Sequence, residues 1–402
     1  MNKPQPREMV ATASPEPGPS TPFDLLLQGV RSESDAFVGP EQAVVDPTNR
    51  CNNNCIGCWT NSPLLLDKAP PQQWFEQALP TKVAIQLIRD LSALQTERIR
   101  FSGGGEPFCH PDMMELLKEA KQEGLICSVT TNFTLVSEEV LDELLAIEID
   151  ELTVSLWAAT PTTYSRVHPN KTPRTFERIT DRLLRLSQAK SSHPKVTLAH
   201  VVCGLNFGEV LQMYDYARHV GAEGLYYTVL DPVAGRTDGL LLRPEHQDQV
   251  LSQIGAVKER RKSEGPDAIR IDNFHGFVRR VEKNDPVRGF YDLPVIDEIP
   301  CYVGWIFCRI LPNGDVSPCC RGVQIPLGNL HRDSFRQIWH SHAYQEFRRS
   351  ALKLSKSDPY FHPIECQRTC DNYMHNEDLH RRLIAAGCLV PSPSSRLTTA
   401  RA

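Results

Sequence analysis

Between residues 41 and 262, short β-branched runs alternate with longer stretches in which apolar residues return every three or four positions. The runs Ala43–Val45, Arg98–Ser102, Ile126–Thr131, Leu152–Leu156, Val196–Val202 and Leu225–Leu230 predict strands. Helices are predicted between them at Lys82–Ala93, Asp112–Glu123, Ser137–Leu145, Phe176–Gln188 and Glu209–His219, and another near Glu245–Lys262. In Phe176–Gln188, the residues Phe176, Ile179, Leu183, Leu184 and Leu186 fall largely on one stripe, with Arg and Asp elsewhere. Six strand–helix units in series imply parallel strands joined by right-handed crossovers. A doubly wound sheet and an open or closed barrel both satisfy this α/β pattern. In either, function belongs at the carboxyl ends of the strands.

After about residue 290 the pattern gives way to irregular, Cys-rich, turn-rich sequence, which predicts a second, smaller domain. Six prolines with Ser, Thr and Gly in residues 1–22 cannot bury enough surface to offset their ordering entropy, and the terminal PSPSSRLTTARA has the same character. The expected organisation is a flexible tail over 1–40, a strand–helix domain over 41–290, a Cys-rich domain over 291–388 and a flexible tail over 389–402.

Net charge narrows the partners. Lys and Arg total 44 against 49 Asp and Glu in 402 residues, for a formal charge of −5, so the basic surface of a dedicated nucleic-acid binder is missing. No apolar run is long enough to span a bilayer, and the N-terminus lacks the apolar core of a secretory signal. A cytoplasmic protein without nucleic-acid or membrane partners is expected. There, thirteen cysteines in tight groups point to metals or redox chemistry rather than to disulfides. Cys127 and Cys203, flanked by apolar residues, read as small buried hydrophobes.

The first group, Cys51-Asn-Asn-Asn-Cys55-Ile-Gly-Cys58, lies in a polar loop after the first strand. Three thiolates can wrap one metal centre. A zinc knuckle completed by a distant ligand and an iron–sulfur cube with one open iron fit the spacing equally well. The second strand ends in Gly103-Gly104-Gly105-Glu106-Pro107, at the same end of the sheet. Three glycines let a backbone approach a ligand closely, and Glu106 adds a carboxylate suited to an ammonium group. The run is no P-loop, because Gly-Lys-Ser/Thr is missing.

Together, Cys-x3-Cys-x2-Cys after strand one and Gly-Gly-Glu-Pro after strand two resemble the radical S-adenosylmethionine (radical SAM) superfamily. The resemblance implies a partial (β/α)6 TIM-type barrel. It also implies a [4Fe–4S] cluster on Cys51, Cys55 and Cys58, with SAM chelating the fourth iron and Gly103, Gly104, Gly105 and Glu106 contacting its methionyl amine. Reductive cleavage of SAM would give a 5′-deoxyadenosyl radical that abstracts hydrogen from a substrate, with a flavodoxin- or ferredoxin-like electron donor. Asn132, in a Thr-Asn-Phe that departs from the family's Thr-Asn-Gly, and Ser155, Arg166 and Asn206 are the further SAM-contact candidates. The plainer readings for these four are a turn, a cap and a solvated arginine.

In the C-terminal quarter, Asn313-Gly314 signals a hairpin that brings Cys301 and Cys308 near Cys319 and Cys320, while Cys366 and Cys370 open a predicted helix and supply a second pair. Cys-x2-Gly-Trp, then Asn-Gly-Asp-Val-x-Pro-Cys-Cys and Leu-Gly-Asn-Leu, resemble the SPASM and twitch extensions of radical SAM enzymes. That resemblance implies one auxiliary [4Fe–4S] cluster on Cys301, Cys319, Cys366 and Cys370, with Cys308 or Cys320 as substitutes. The internal Cys-x2-Cys-x5-Cys run of a full SPASM domain is absent.

Basic pairs at Arg279–Arg280 and Arg348–Arg349, and Asp231, His168 and Tyr164, read as solvated surface. SPASM and twitch relatives divide between ribosomally made peptides and small polar metabolites. Only some forty residues precede the first strand, too few for a peptide-leader module, so a sugar or aminocyclitol is the expected substrate, with dehydrogenation or epimerisation as the outcome. The alternatives are a maturase of a ribosomally made peptide or protein and, in another class, a non-catalytic metal-binding scaffold.

Overall fold

The computed structural model describes residues 21–388 apart from 190, 191, 283, 284, 286 and 294; both chain ends expected to be tails, 1–20 and 389–402, lie outside the described residues. The six expected strands form as β1 (Gln42–Val45), β2 (Arg98–Phe101), β3 (Ile126–Thr131), β4 (Glu151–Ser155), β5 (Lys195–Val202) and β6 (Gly224–Val229). Each pairs in parallel with its sequence neighbour. This order settles the choice that periodicity left open. A doubly wound sheet needs a reversal of strand order to place helices on both faces. Strands laid down as β6-β5-β4-β3-β2-β1 have none, so every right-handed crossover puts its helix on the same face and the sheet curls into an open barrel.

Side-chain alternation then separates two environments. In β5, Val196, Leu198, His200 and Val202 are buried beneath the helices, while Thr197, Ala199 and Val201 face the lumen and are only half-buried. In β2, Ile99 and Phe101 are outward and buried, and Arg98 and Arg100 face inward. The lumen is thus polar and open.

The C-terminal region is tied to the barrel by its own strands. The hairpin forms, with β7 (Phe307–Ile310) antiparallel to β8 (Asp315–Ser317) and a turn in which Gly314 takes φ +83°. Yet β7 also pairs in parallel with β1, Cys308 opposite Ala43, and β9 (Gly328–Asn329) extends the same nine-stranded sheet. An unpaired β1 edge would expose a row of backbone donors and acceptors, and β7 satisfies it. The Cys-rich segment therefore shares the sheet and the apolar core, in which Trp305, Ile310 and Trp339 join Ala43 and Val45. Residues Pro22–Ser32, within the expected tail, form a helix. Thr21 and Asp24 make a reciprocal capping box, and Leu26 and Gly29 are buried.

Two of the basic pairs also depart from a solvated reading. Arg348 is fully buried, stacks 4.7 Å from the Trp339 ring and donates to the Gly304 and Trp339 carbonyls. Arg280 is half-buried and pairs at 2.7 Å with the buried Asp292 carboxylate. No helix among the described residues is long and apolar enough to cross a membrane.

Candidate functional site

The chain leaves β1 at Val45 and enters the cysteine loop above the carboxyl end of the sheet. The loop's own polar groups hold its thiols in place. The Asn53 backbone N–H donates to Cys51 Sγ at 3.4 Å, the Asn61 N–H donates to Cys58 Sγ at 3.3 Å, and the Thr60 hydroxyl stands 3.5 Å from the same sulfur. Burial pushes the Cys51 thiol up to about 12 and that of Cys55 well above its ordinary value. Such thiols ionise only when a cation takes the proton's place, as iron does. Among the described residues no three His, Cys, Asp or Glu side chains close on a point tightly enough for a single metal ion. Cys51, Cys55 and Cys58 instead stand as separate groups on one cavity wall.

The glycine run lies against this loop. The Glu106 N–H donates to the Arg50 carbonyl at 2.7 Å. A Cβ on Gly105 would stand 2.1 Å from the Arg50 carbonyl oxygen, and one on Gly104 would stand 2.6 Å from Asn49 Oδ1. These two glycines are required by contact with the cysteine loop, whatever else binds there. Glu106 is buried. Its carboxylate accepts from the Thr131 hydroxyl at 2.6 Å, the Asn132 N–H at 2.7 Å and the Phe108 N–H at 3.2 Å. Burial outweighs these donors and raises its pKa to about 7. A carboxylate held this way gains from a cationic partner on its open side.

Asn132 and Ser155 reach the same cavity as the three cysteines and Gly103–Glu106; its volume is about 1050 Å³. The Asn132 amide donates to Asn52 Oδ1 at 2.9 Å, tying the end of β3 to the cysteine loop. Phe133, where the resembled motif has glycine, adopts φ +61° and so takes the left-handed conformation that glycine favours. The Ser155 hydroxyl accepts from Trp157 Nε1 at 3.0 Å. Two candidates do not reach the cavity. Asn206 is buried and its amide donates to the Trp157 and Val201 carbonyls at 2.7 and 2.8 Å, so it braces the ends of β4 and β5. Arg166 lies exposed on the helix Pro161–Val167.

A second, smaller cavity of about 40 Å³ is lined by Cys301, Cys319, Cys366 and Cys370 together, with Ile299, Phe347 and Ile364 among its apolar walls. Burial raises all four thiols, and Cys319 and Cys370 each feel Cys301 as a further repulsive charge. The Asn372 amide nitrogen, from a side chain on the same wall, is buried without a hydrogen-bond partner. Cys366 and Cys370 sit in a turn ahead of the helix Tyr373–Ala385, not at its start. The two substitutes are placed elsewhere. Cys308 points into the core from β7 and is fully buried, whereas Cys320 lines the large cavity.

Several cavity residues escaped the sequence reading because their partners are distant in sequence. Asp46 pairs with Arg309 at 2.7 Å, and Arg309 also donates to the Cys320 carbonyl at 2.8 Å. Asp231, read as surface, lies in the wall beside Arg321 and Arg368, and its carbonyl accepts from Trp59 Nε1 at 2.8 Å. Tyr164 and His168, also read as surface, are buried, and burial pushes His168 down to about 4.

The radical SAM superfamily model matches residues 45–217, and the iron-sulfur cluster-binding SPASM model matches residues 301–371. The chain belongs to the radical SAM superfamily. It is a radical SAM enzyme with a SPASM domain, and iron–sulfur clusters and SAM are its cofactors. It is 23% identical over 297 residues to the AdoMet-dependent heme synthase of Methanosarcina barkeri, covering 73% of this chain and 80% of that one. It is 25% identical over 307 residues to the PqqA peptide cyclase of Gluconobacter oxydans, covering 75% and 76% respectively. Its fold resembles that of Streptococcus suis SuiB bound to precursor peptide SuiA, with a TM-score of 0.60 at 14% identity over 85% of this chain and 75% of that one.

These likenesses correct the expected substrate. Relatives that align over most of this chain include a heme synthase, a peptide cyclase and a bacteriocin biosynthesis protein. The scaffold alternative also falls, since the family is one of enzymes.

Proposed function

We propose that this radical SAM enzyme is a maturase of a ribosomally made peptide. The observation that carries the reading is the alignment with PqqA peptide cyclase over 75% of the chain. The cavity supports it: about 1050 Å³ is at the upper end of what drug-sized ligands occupy, which leaves room for a polypeptide segment beside a cofactor. Its rim carries Trp59, Val233 and Val323 together with paired charges from Arg321, Arg368 and Asp231, a mixture suited to a peptide backbone and its side chains.

In this reading Cys51, Cys55 and Cys58 hold the cluster that SAM completes, and Cys301, Cys319, Cys366 and Cys370 hold one auxiliary cluster. When bound, the first cluster and SAM supply a carbon radical able to remove hydrogen from an unactivated position. The protein's residues orient and shield it. Glu106, fixed by Thr131 and Asn132, receives the methionyl ammonium. Gly104 and Gly105 keep the second strand's end against the cysteine loop. Asn132 ties β3 to that loop, and the Asp46–Arg309 pair closes the floor of the cavity. The setting is cytoplasmic, with a flavodoxin- or ferredoxin-like donor as the source of electrons.

The test is anaerobic reconstitution followed by incubation with SAM, a low-potential reductant and the short peptides encoded beside this gene. Release of 5′-deoxyadenosine together with a peptide whose mass has fallen by two hydrogens supports the reading. Stimulation of 5′-deoxyadenosine release by a porphyrin or sugar, with every peptide inert, overturns it.

A further inference from the structure

The first cysteine loop has an inner and an outer side. Cys51, Asn53 and Cys55 line the large cavity, whereas the intervening Asn52 and Asn54 do not. These two bond instead to Asn170, in the turn between the helices Pro161–Val167 and Pro173–Ala189. The Asn54 N–H donates to Asn170 Oδ1 at 3.3 Å, the Asn170 N–H donates to Asn54 Oδ1 at 2.9 Å, and the Asn170 amide donates to the Asn52 carbonyl at 3.0 Å. The Ile56 N–H donates to the Val167 carbonyl at 2.9 Å. The Phe176 ring, 5.6 Å from that of Tyr164, fixes the second helix against the first. The ends of two helices and their connecting turn therefore back the loop on the side away from the cavity.

Charge on that outer side is one-signed. Arg166, Lys171, Arg174 and Arg178 share the stretch from Thr160 to Thr180 with one carboxylate, Glu177, and Arg50 is the only charged residue from Pro47 to Leu66, in a chain whose formal charge is −5. Arg50, Arg166, Arg174 and Arg178 are exposed and Lys171 is half-buried. Among the described residues none of these five side chains has an ion-pair or hydrogen-bond partner. The fold gains nothing from them. Arg174 and Arg178 stand four apart on one helix face and repel, and Arg174 lies in the first turn, where the helix dipole disfavours a cation. A patch that costs the fold is best explained by an anionic partner. A substrate would have to enter the cavity, which none of the five lines. An electron donor needs only to approach the cluster ligands from outside.

We infer that the outer side of the cysteine loop is the docking surface for a small acidic one-electron carrier protein, held by Arg50, Arg166, Lys171, Arg174 and Arg178, and that electrons enter through the loop. The inference rests on the cluster assignment and the electron donor proposed above. One electron leaves the reduced carrier and lowers the charge of the first cluster by one; no bond or proton changes hands. Complementary charge of this kind steers encounter and sets orientation.

The probe is a flavodoxin, mixed with the iron-loaded full chain as wild type, as the double variant Arg174→Glu/Arg178→Glu and as Lys171→Gln. Iron content checks loading. Binding is read by calorimetry at low and high salt, and 5′-deoxyadenosine release is measured with reduced flavodoxin and with dithionite, a reductant that needs no docking. Wild type should bind flavodoxin and lose most of that affinity between about 0.05 and about 0.5 M salt, because the charges are exposed. The double variant should lose about tenfold in flavodoxin affinity and in flavodoxin-driven release, and Lys171→Gln about threefold, with dithionite-driven release at the wild-type value in both. If the double variant fails to load iron, Lys171→Gln decides alone. Flavodoxin that fails to bind wild type, or binds loaded variant and wild type equally, overturns the inference and leaves the cluster assignment standing. A loaded variant whose dithionite-driven release falls as far as the flavodoxin-driven release also overturns it, since the patch would then serve the peptide or the fold. No release from wild type with either reductant overturns the reading on which the inference rests.

Discussion

Glu106 offers the sharpest test of the SAM pocket, because its burial makes opposite demands of the ligand-free and ligand-bound protein. An ordinary carboxyl titrates at 4.5, whereas this one titrates at about 7 because burial outweighs three donors. At 1.36 kcal/mol per tenfold step in the acid equilibrium, the charged form costs the ligand-free protein roughly 3 kcal/mol. The sign follows from proton counting. Below the unfolded value of 4.5 both states hold the proton and there is no penalty. As pH rises to about 7 the unfolded chain has lost a proton that the folded chain keeps, so stability falls; beyond that the loss is constant.

Glu106→Gln removes this titration. Urea midpoints of cluster-free wild type and variant, measured from about pH 5 to about pH 8, should therefore diverge, with wild type losing up to roughly 3 kcal/mol relative to the variant. Buried His168 and His200, whose low pKa values destabilise the fold only toward acid, are common to both proteins and cancel in the difference. A difference independent of pH would refute the buried-charge account. In the iron-loaded protein the same carboxylate should hold the SAM ammonium, so wild-type SAM affinity rises toward about pH 7 and Glu106→Gln loses that dependence.

Three further outcomes follow from the packing. Cys319→Ser should lower reconstituted iron from about eight to about four per chain by chemical assay, while Cys308→Ser and Cys320→Ser leave it unchanged, since only Cys319 of the three lines the four-cysteine cavity. Gly105→Ala should abolish SAM binding by calorimetry, because its Cβ would stand 2.1 Å from the Arg50 carbonyl and force the two loops apart. Arg309→Met should lower stability by about 3–5 kcal/mol in denaturant titration, because the 2.7 Å pair is broken and the Asp46 charge is left buried. A loss of under about 1 kcal/mol would mean that Asp46 takes a proton or reaches water.

Local chemistry fixed much of this protein before any tertiary contact was known. The six strands and the helices between them are where their periodicity places them, because burial on one stripe or one face is written in adjacent residues. The Cys51–Cys58 loop and the Gly103–Glu106 run are also legible, since loop and strand end are each continuous in the chain. Only the folded arrangement decided the rest. The open barrel follows from strand order, which periodicity does not contain. The pairing of β7 with β1 follows from an edge that needs hydrogen bonds, and it joins the Cys-rich segment to the barrel's sheet. The same placement sent Cys308 into the core and Cys320 into the large cavity, although both stand beside a cavity-lining cysteine or on its hairpin. Arg280, Arg348 and Asp231 read as solvated because their partners lie 12 or more residues away, or are aromatic rings brought in from other elements. Tyr164 and His168 read as surface because their burial comes from packing that the sequence pattern does not contain.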